Sequence, residues 1–287
     1  MMPDRDASSL KLRRFYAELV AGHAGPDITA AFASVPREPF AGPGPWSIPG
    51  AQIGQSRHGG PRYVRTPDDD PAFLYQDVLI ALDAERAIHI GQPSLHALCL
   101  GALAPRRGET VIQVGAGSGY YTALLAHLVG PEGRVHAFEI DPGLAAKATA
   151  NLAPWPWVQV HARSGTAAGL PPADAIYVNA GAARPARAWL DALKPEGRLL
   201  FPLQAPDSRG GMLLVRRSGS AAAWPARFVS AATFITLQDM PEEETAALRE
   251  AFVSGRPFAV RAIRFDRPVD ARCWYDGGDW WLSTREP

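Results

Sequence analysis

The stretch VIQVGAGSGYYTALLAHL, beginning at Val111, constrains the fold more than any other part of the chain. An apolar run ends in three alternate glycines, Gly115, Gly117 and Gly119, and an apolar helix pattern follows at once. A strand, a tight turn and a helix in that order make the first half of a crossover unit, which requires a parallel strand to return beside the first.

The neighbouring segments supply those strands. GRVHAFEID, WVQVHA and DAIYVNA read as strands, PGLAAKATANL and ARPARAWLDALK as helices, and PSLHALCLGAL as a helix ahead of the glycines. The alternation predicts a largely parallel sheet covered on both faces. GRLLFPL and GMLLVRRSG follow each other too closely for a helix, so they are expected as an antiparallel hairpin closing one edge.

Outside this region the pattern is looser. The first forty residues read as helices, LKLRRFYAELVAG and DITAAFASV, stopped at Pro36. Residues 40–70 are rich in Gly, Pro, Ser and Gln and read as loops ending in a solvated acidic run, Asp68 to Asp70. Beyond Ser220 come the acidic helix PEEETAALREAFVSG and short strand-like pieces, with Trp274, Trp280 and Trp281 expected to pack an extension onto the main domain. The expected division is a helical and loop segment at 1–70, a core at 71–220 and a C-terminal extension at 221–287.

Composition excludes several classes. Lys plus Arg balances Asp plus Glu at 29 each, so the chain as a whole offers no field for nucleic acid or an anionic membrane. No apolar run reaches the roughly 20 residues of a membrane span, and the N-terminus lacks the apolar core of a secretory signal, so a cytoplasmic location is expected. Cys99 and Cys273 fit neither a disulfide framework nor a zinc site, and the seven His residues form no H-E-x-x-H pair, so no metal is expected. Neither G-K-[ST] nor G-x-S-x-G occurs where a phosphate loop or a hydrolase elbow would need it.

The glycines are spaced G-x-G-x-G, with Tyr120 where a dinucleotide fingerprint places its last glycine, which disfavours NAD or FAD. Glu139 lies twenty residues beyond Gly119 at the end of the next strand, where a carboxylate accepts hydrogen bonds from both hydroxyls of a ribose. S-adenosylmethionine fits both features. The candidate cofactor-binding residues are Gly115, Gly117, Ser118, Gly119, Glu139 and Ile140, and Asp141 before Pro142 reads mainly as a helix cap.

The order of motifs resembles the protein-L-isoaspartate O-methyltransferase family across about residues 30–218. VPREPF at residues 35–40, LYQDVLIAL at 74–82, HIGQPSLHAL at 89–98, the glycine motif, VHAFEIDP, YVNAGAARP and LDALKPEGRLLFPL carry the resemblance. It implies a Rossmann-like class I methyltransferase fold, α/β with a mostly parallel sheet, and S-adenosylmethionine as cofactor. It also implies a carboxylate acceptor, either an isoaspartyl linkage or, as in related peptide methyltransferases, an Asp side chain. Gly91 stands where the family has a loop serine, and residues 161–171 contain no acid where the family places one near the adenine. Additions at residues 41–73 and after Ser220 point to a specialised acceptor pocket.

A carboxylate is ionised near pH 7 and needs no general base, which agrees with the lack of a His-Asp constellation. On the acceptor side the candidates are Gly91 and Gln92, through backbone N–H groups, and Ser94, through its hydroxyl or as the cap of the following helix. Tyr75 and Asp77 either flank the same site or pack structurally, and His96 reads as a packing or surface residue. Partners are therefore a peptide, protein or small-molecule acceptor, with no nucleic acid and no membrane. A natural-product methyltransferase and a non-catalytic cofactor-binding interaction protein are the competing readings.

Overall fold

The computed structural model describes residues 5–50, 63–206, 208–220, 222–239 and 245–287. The N-terminal helices are α1 (Arg5–Ala21), α2 (Pro26–Ser34) and the short α3 (Glu38–Ala41). In the loop-rich region β1 (Ser47–Pro49) pairs antiparallel with β2 (Tyr63–Arg65), and the loops expected at 51–62 lie outside the described residues. A second small hairpin, β3 (Ile80–Asp83) with β4 (Ile88–Ile90), leads into α4 (Pro93–Leu103).

The core then follows the order expected from the sequence: β5 (Thr110–Val114), α5 (Tyr120–Val129), β6 (Arg134–Phe138), α6 (Pro142–Asn151), β7 (Val158–His161), β8 (Ala173–Val178), α7 (Arg187–Ala192) and β9 (Leu193–Leu203). Strands β9, β8, β5, β6 and β7 lie side by side and parallel, the Rossmann-like arrangement. Alternate residues of these strands enter two different cores. Val111, Ala175, Tyr177 and Leu200 pack beneath α1, α2, α4 and α5. Ile112, Ile176, Val178 and Phe201 pack around Trp189 on the other face. Burial on both faces explains why these strands read as continuous apolar runs.

The hairpin expectation holds for direction and fails for place. β9 and β10 (Gly210–Arg216) are antiparallel, with Gly211 opposite Leu203, but they are not an edge. β11 (Ala223–Ala232) pairs with β10, and, after α8 (Ala246–Ser254), the strands β12 (Ala262–Arg264), β13 (Cys273–Asp276) and β14 (Trp281–Ser283) extend the same sheet. Among the described residues one sheet thus runs β13-β14-β12-β11-β10-β9-β8-β5-β6-β7. The sequence blurred this because β11 alternates buried and exposed positions among Ala, Ser and Arg, so its apolar signal is weak. The start of the expected acidic helix, residues 241–244, lies outside the described residues.

The tryptophans pack as expected. Trp280 and Trp281 are buried, Trp281 donates its indole N–H to the Asp266 carbonyl at 2.9 Å, and Trp274 stacks edge-on against Phe252 and Phe228. Cys99 and Cys273 are free thiols. Among the described residues no helix is long and apolar enough to cross a membrane.

Because the C-terminal strands share the main sheet, Trp281→Ala is expected to cost about 3–5 kcal/mol and to lower the midpoint of one cooperative denaturant transition. Two separate transitions in urea would mean that the C-terminal strands fold as a unit of their own.

Candidate functional site

The order of strands reverses at β5, and the turn leaving that point is the glycine turn, where open α/β sheets place their ligands. Gly117 has φ +58° and Gly119 φ +96°, conformations that side-chain-bearing residues rarely adopt. A Cβ on Gly119 would lie 2.9 Å from Leu152, so this position serves the close approach of α5 to the end of α6. The Gly117 N–H donates to Glu139 Oε2 at 2.7 Å, and the Asp141 N–H donates to Oε1 at 3.0 Å. Burial pushes the Glu139 pKa above the ordinary carboxylate value, and these two N–H groups act in the opposite direction.

Ile140, next in sequence, keeps 47% of its surface exposed. Asp141 caps α6 through the Leu144 N–H at 2.9 Å, as expected, and also pairs with Arg86 from the β3–β4 turn at 2.6 Å. Among the described residues, two buried polar atoms on the cleft wall have no hydrogen-bond partner: Ser118 Oγ and Asn179 Oδ1.

The glycine turn and the acceptor-side loop face one cleft of about 730 Å³, lined by Gly91, Gln92, Ser94 and His96 together with Gly115, Gly117 and Ser118. A smaller recess of about 140 Å³, holding Glu139, Ile140 and Asp239, shares Gly115, Gly117, His89, Asn179 and Ile235 with it. The structure therefore brings together the residues singled out from the sequence, with Gly119 outside both linings.

Asp77 organises the acceptor side. Its carboxylate accepts from the Ser94 N–H at 2.8 Å, the Ser94 hydroxyl at 2.7 Å and Gln92 Nε2 at 3.0 Å. Burial opposes its ionisation, but these hydrogen bonds outweigh burial and hold the carboxyl below its usual range. The cap expected from Ser94 comes instead from Asp77, because α4 begins at Pro93 and its first turn meets a carboxylate from another segment. The hydroxyl proton of Ser94 is thereby committed to Asp77. Tyr75 lies behind the loop, accepting from the Arg37 N–H and donating to Glu38.

Gly91 is fixed from the glycine motif itself, since the Tyr121 hydroxyl donates to its carbonyl at 2.6 Å. His96 is packed, as expected, but it also forms part of the cleft wall. Its ring stacks on Tyr121 with centroids 3.5 Å apart, and its Nδ1 lies 2.7 Å from the Tyr177 hydroxyl. Burial, helped by the charge of Arg37, lowers its pKa to about 3. His89 lines the cleft with Nε2 2.6 Å from the Tyr63 hydroxyl, and burial lowers its pKa as well.

Several participants were not singled out from the sequence. The fully buried Arg37 donates to the carbonyls of Leu74, Gln76 and Val78, gripping the segment that carries Asp77. Residues 231–235 form a wall of the cleft. That segment is held by Gln204, whose amide accepts from the Phe234 N–H and donates to the Phe234 carbonyl, both at 2.8 Å. Asp239 then accepts from the Thr166 hydroxyl at 2.9 Å, bringing an acid beside the stretch that has none of its own. The VPREPF motif pointed towards Arg37, whereas the Gln204 and Asp239 contacts join residues far apart in the chain and leave no local signal. Among the described residues no cluster of three metal-ligating side chains occurs.

Over residues 61–242 the chain matches the family model of protein-L-isoaspartate(D-aspartate) O-methyltransferase. It is 37% identical over 153 residues to the protein-L-isoaspartate O-methyltransferase of Aeropyrum pernix, covering 51% of this chain and 58% of that protein. It is also 37% identical over 177 residues to that of Anaeromyxobacter dehalogenans, covering 56% of this chain and 83% of that protein. A solved protein-L-isoaspartate O-methyltransferase superposes with a TM-score of 0.61 at 22% identity, covering 78% of this chain and 65% of its own. A Plasmodium falciparum structure, described as a beta-aspartate methyltransferase in complex with S-adenosyl-L-homocysteine, gives 0.60 at 18% identity, covering 79% of this chain and 99% of its own. At those identities the structures establish the class I methyltransferase fold.

The buried imidazole of His96 generates a pH dependence. As pH falls below about 6.5 an unfolded chain takes up a proton that the folded chain refuses until about pH 3, so stability declines across that window. The expected loss from this group is about 1.4 kcal/mol per pH unit, and His96→Phe should flatten that part of the slope in urea midpoints measured between pH 7 and pH 5.

Proposed function

The chain belongs to the protein-L-isoaspartate(D-aspartate) O-methyltransferase family, and from that premise we propose that it transfers a methyl group from S-adenosylmethionine to a carboxylate of a peptide. The observation that carries this reading is the single cleft in which the glycine turn and the Gly91 loop face each other, tied by the Tyr121–Gly91 hydrogen bond.

The residues present fit the cofactor. The unpartnered Ser118 Oγ and Asn179 Oδ1 await polar partners beside the bare backbone of Gly115 and Gly117. Glu139 has lone pairs left for ribose hydroxyls beyond the two N–H groups it already accepts. Ile140 offers an exposed apolar face for a base, in the recess that also holds Asp239. We assign cofactor binding to the core at 71–220.

When bound, S-adenosylmethionine supplies an activated methyl group, so a carboxylate oxygen forms the new O–CH3 bond as the S–CH3 bond breaks, with its electron pair going to sulfur and no proton moving. The protein's work is to orient the acceptor and exclude water. The cleft agrees with an acceptor that needs no base: burial lowers the pKa values of His89 and His96, two of the three imidazoles on its wall among the described residues. Residues 231–235 wall one side, which favours a defined acceptor, an isoaspartyl linkage or an Asp side chain in a particular peptide, over an open surface for any protein.

Glu139→Gln is expected to weaken S-adenosylhomocysteine binding about 10- to 100-fold by calorimetry, because one end of the amide would set an N–H against an N–H. In mass spectrometry with S-adenosylmethionine, an isoaspartyl peptide should gain one base-labile methyl. Transfer to neither it nor its Asp counterpart, with cofactor binding intact, would refute the peptide-carboxylate reading.

A further inference from the structure

Several side-chain donors on the acceptor side, among them the expected Ser94 hydroxyl, are engaged elsewhere. Gln92 Nε2 and the Ser94 hydroxyl both donate to Asp77, and His89 Nε2 faces Tyr63. Among the described residues lining the cleft there is no Lys or Arg. A carboxylate entering it can be met by a neutral donor.

His96 has one to give. A Cβ built on Gly91 would fall 2.2 Å from His96 Nε2 and 2.9 Å from Cδ2. The Nε2 corner of the ring therefore occupies the volume that a side chain at position 91 would fill, on the wall that both residues share. At the opposite corner Nδ1 lies 2.7 Å from the Tyr177 hydroxyl. Tyr177 is fully buried, and burial raises its pKa, so it keeps its proton. A phenol that donates to Nδ1 leaves the single proton of the neutral imidazole on Nε2. Stacking on Tyr121, at 9° between ring planes, prevents the ring from turning away.

We propose that the Nε2–H of His96, uncovered by the absence of a side chain at Gly91, donates a hydrogen bond to one oxygen of the acceptor carboxylate and so directs the other oxygen towards the glycine turn. This rests on the carboxylate reading of the cleft. A neutral donor orients the anion without the strong ion pair that Arg or Lys would form, and so leaves the free oxygen more nucleophilic. Gly91 and His96 then act as one unit: either residue changed alone spoils the site.

The test uses the full chain labelled with 15N-histidine, with the His96 resonances identified by their loss in His96→Phe. Nitrogen shifts in the free protein should place the proton on Nε2, and a proton on Nδ1 overturns the proposal. With S-adenosylhomocysteine present, an isoaspartyl peptide should move the Nε2–H resonance downfield, and the same peptide amidated at that carboxylate should not. Binding of the isoaspartyl peptide, seen at the Gly91 and Gln92 amides, with His96 unmoved overturns the role of His96 and leaves the carboxylate reading standing. No binding by the isoaspartyl peptide or its Asp counterpart removes the carboxylate reading and this proposal with it. In turnover assays His96→Ala and Gly91→Ser should each raise KM for the acceptor about tenfold or more without changing S-adenosylhomocysteine affinity. The double variant, with room for a serine hydroxyl where the ring stood, should recover part of that loss. Single variants that leave KM unchanged, or effects that simply add in the double variant, contradict the proposal.

Discussion

A guanidinium with no access to water governs the acceptor half of this protein. Arg37 is fully buried and cannot shed its charge, so its two terminal NH2 groups seek oxygen atoms nearby. They find the carbonyls of Leu74, Gln76 and Val78, while the rings of Tyr16 and Tyr120 cover the cation at 5.5 Å each. That pins the segment bearing Asp77, which in turn holds Gln92 and Ser94 at the start of α4. The helix so fixed carries His96 to the cleft wall. The N-terminal helices, which supply Tyr16 and lead to Arg37, thus belong to the machinery that shapes the site.

Tyr120 and Tyr121 join this system to the cofactor side. They follow the last glycine of the turn, where a dinucleotide fingerprint would continue towards another glycine. Tyr120 faces Arg37, and Tyr121 holds the Gly91 carbonyl and stacks on His96. The residues that set the glycine motif apart from a dinucleotide-binding one are therefore those that couple it to the acceptor loop. Movement of either loop would disturb hydrogen bonds on both.

On the other side, the continuation of the sheet changes what the C-terminal residues can reach. β11 ends beside the cleft, and Gln204 grips Phe234, so residues 231–235 become a wall of the site and Asp239 arrives beside Thr166. An extension packed remotely would have left that side open. Burial of Trp280, Trp281 and Leu282 stabilises the strands that hold this wall in place.

The strand, glycine turn and helix from Val111 onward, and the carboxylate twenty residues past Gly119, were legible because local backbone chemistry and periodicity dictate them. The same holds for the apolar runs of the parallel core, buried on two faces, and for the cap at Asp141, which acts on residues three positions away. The structure alone decided which polar groups are already engaged. Ser94 reads as a cap or a donor until Asp77 meets it from seventeen residues upstream. Gly91 reads as a missing serine until His96 is seen in the space beside it. Such pairings depend on the register in which distant elements pack, and no single segment carries that information in its own pattern.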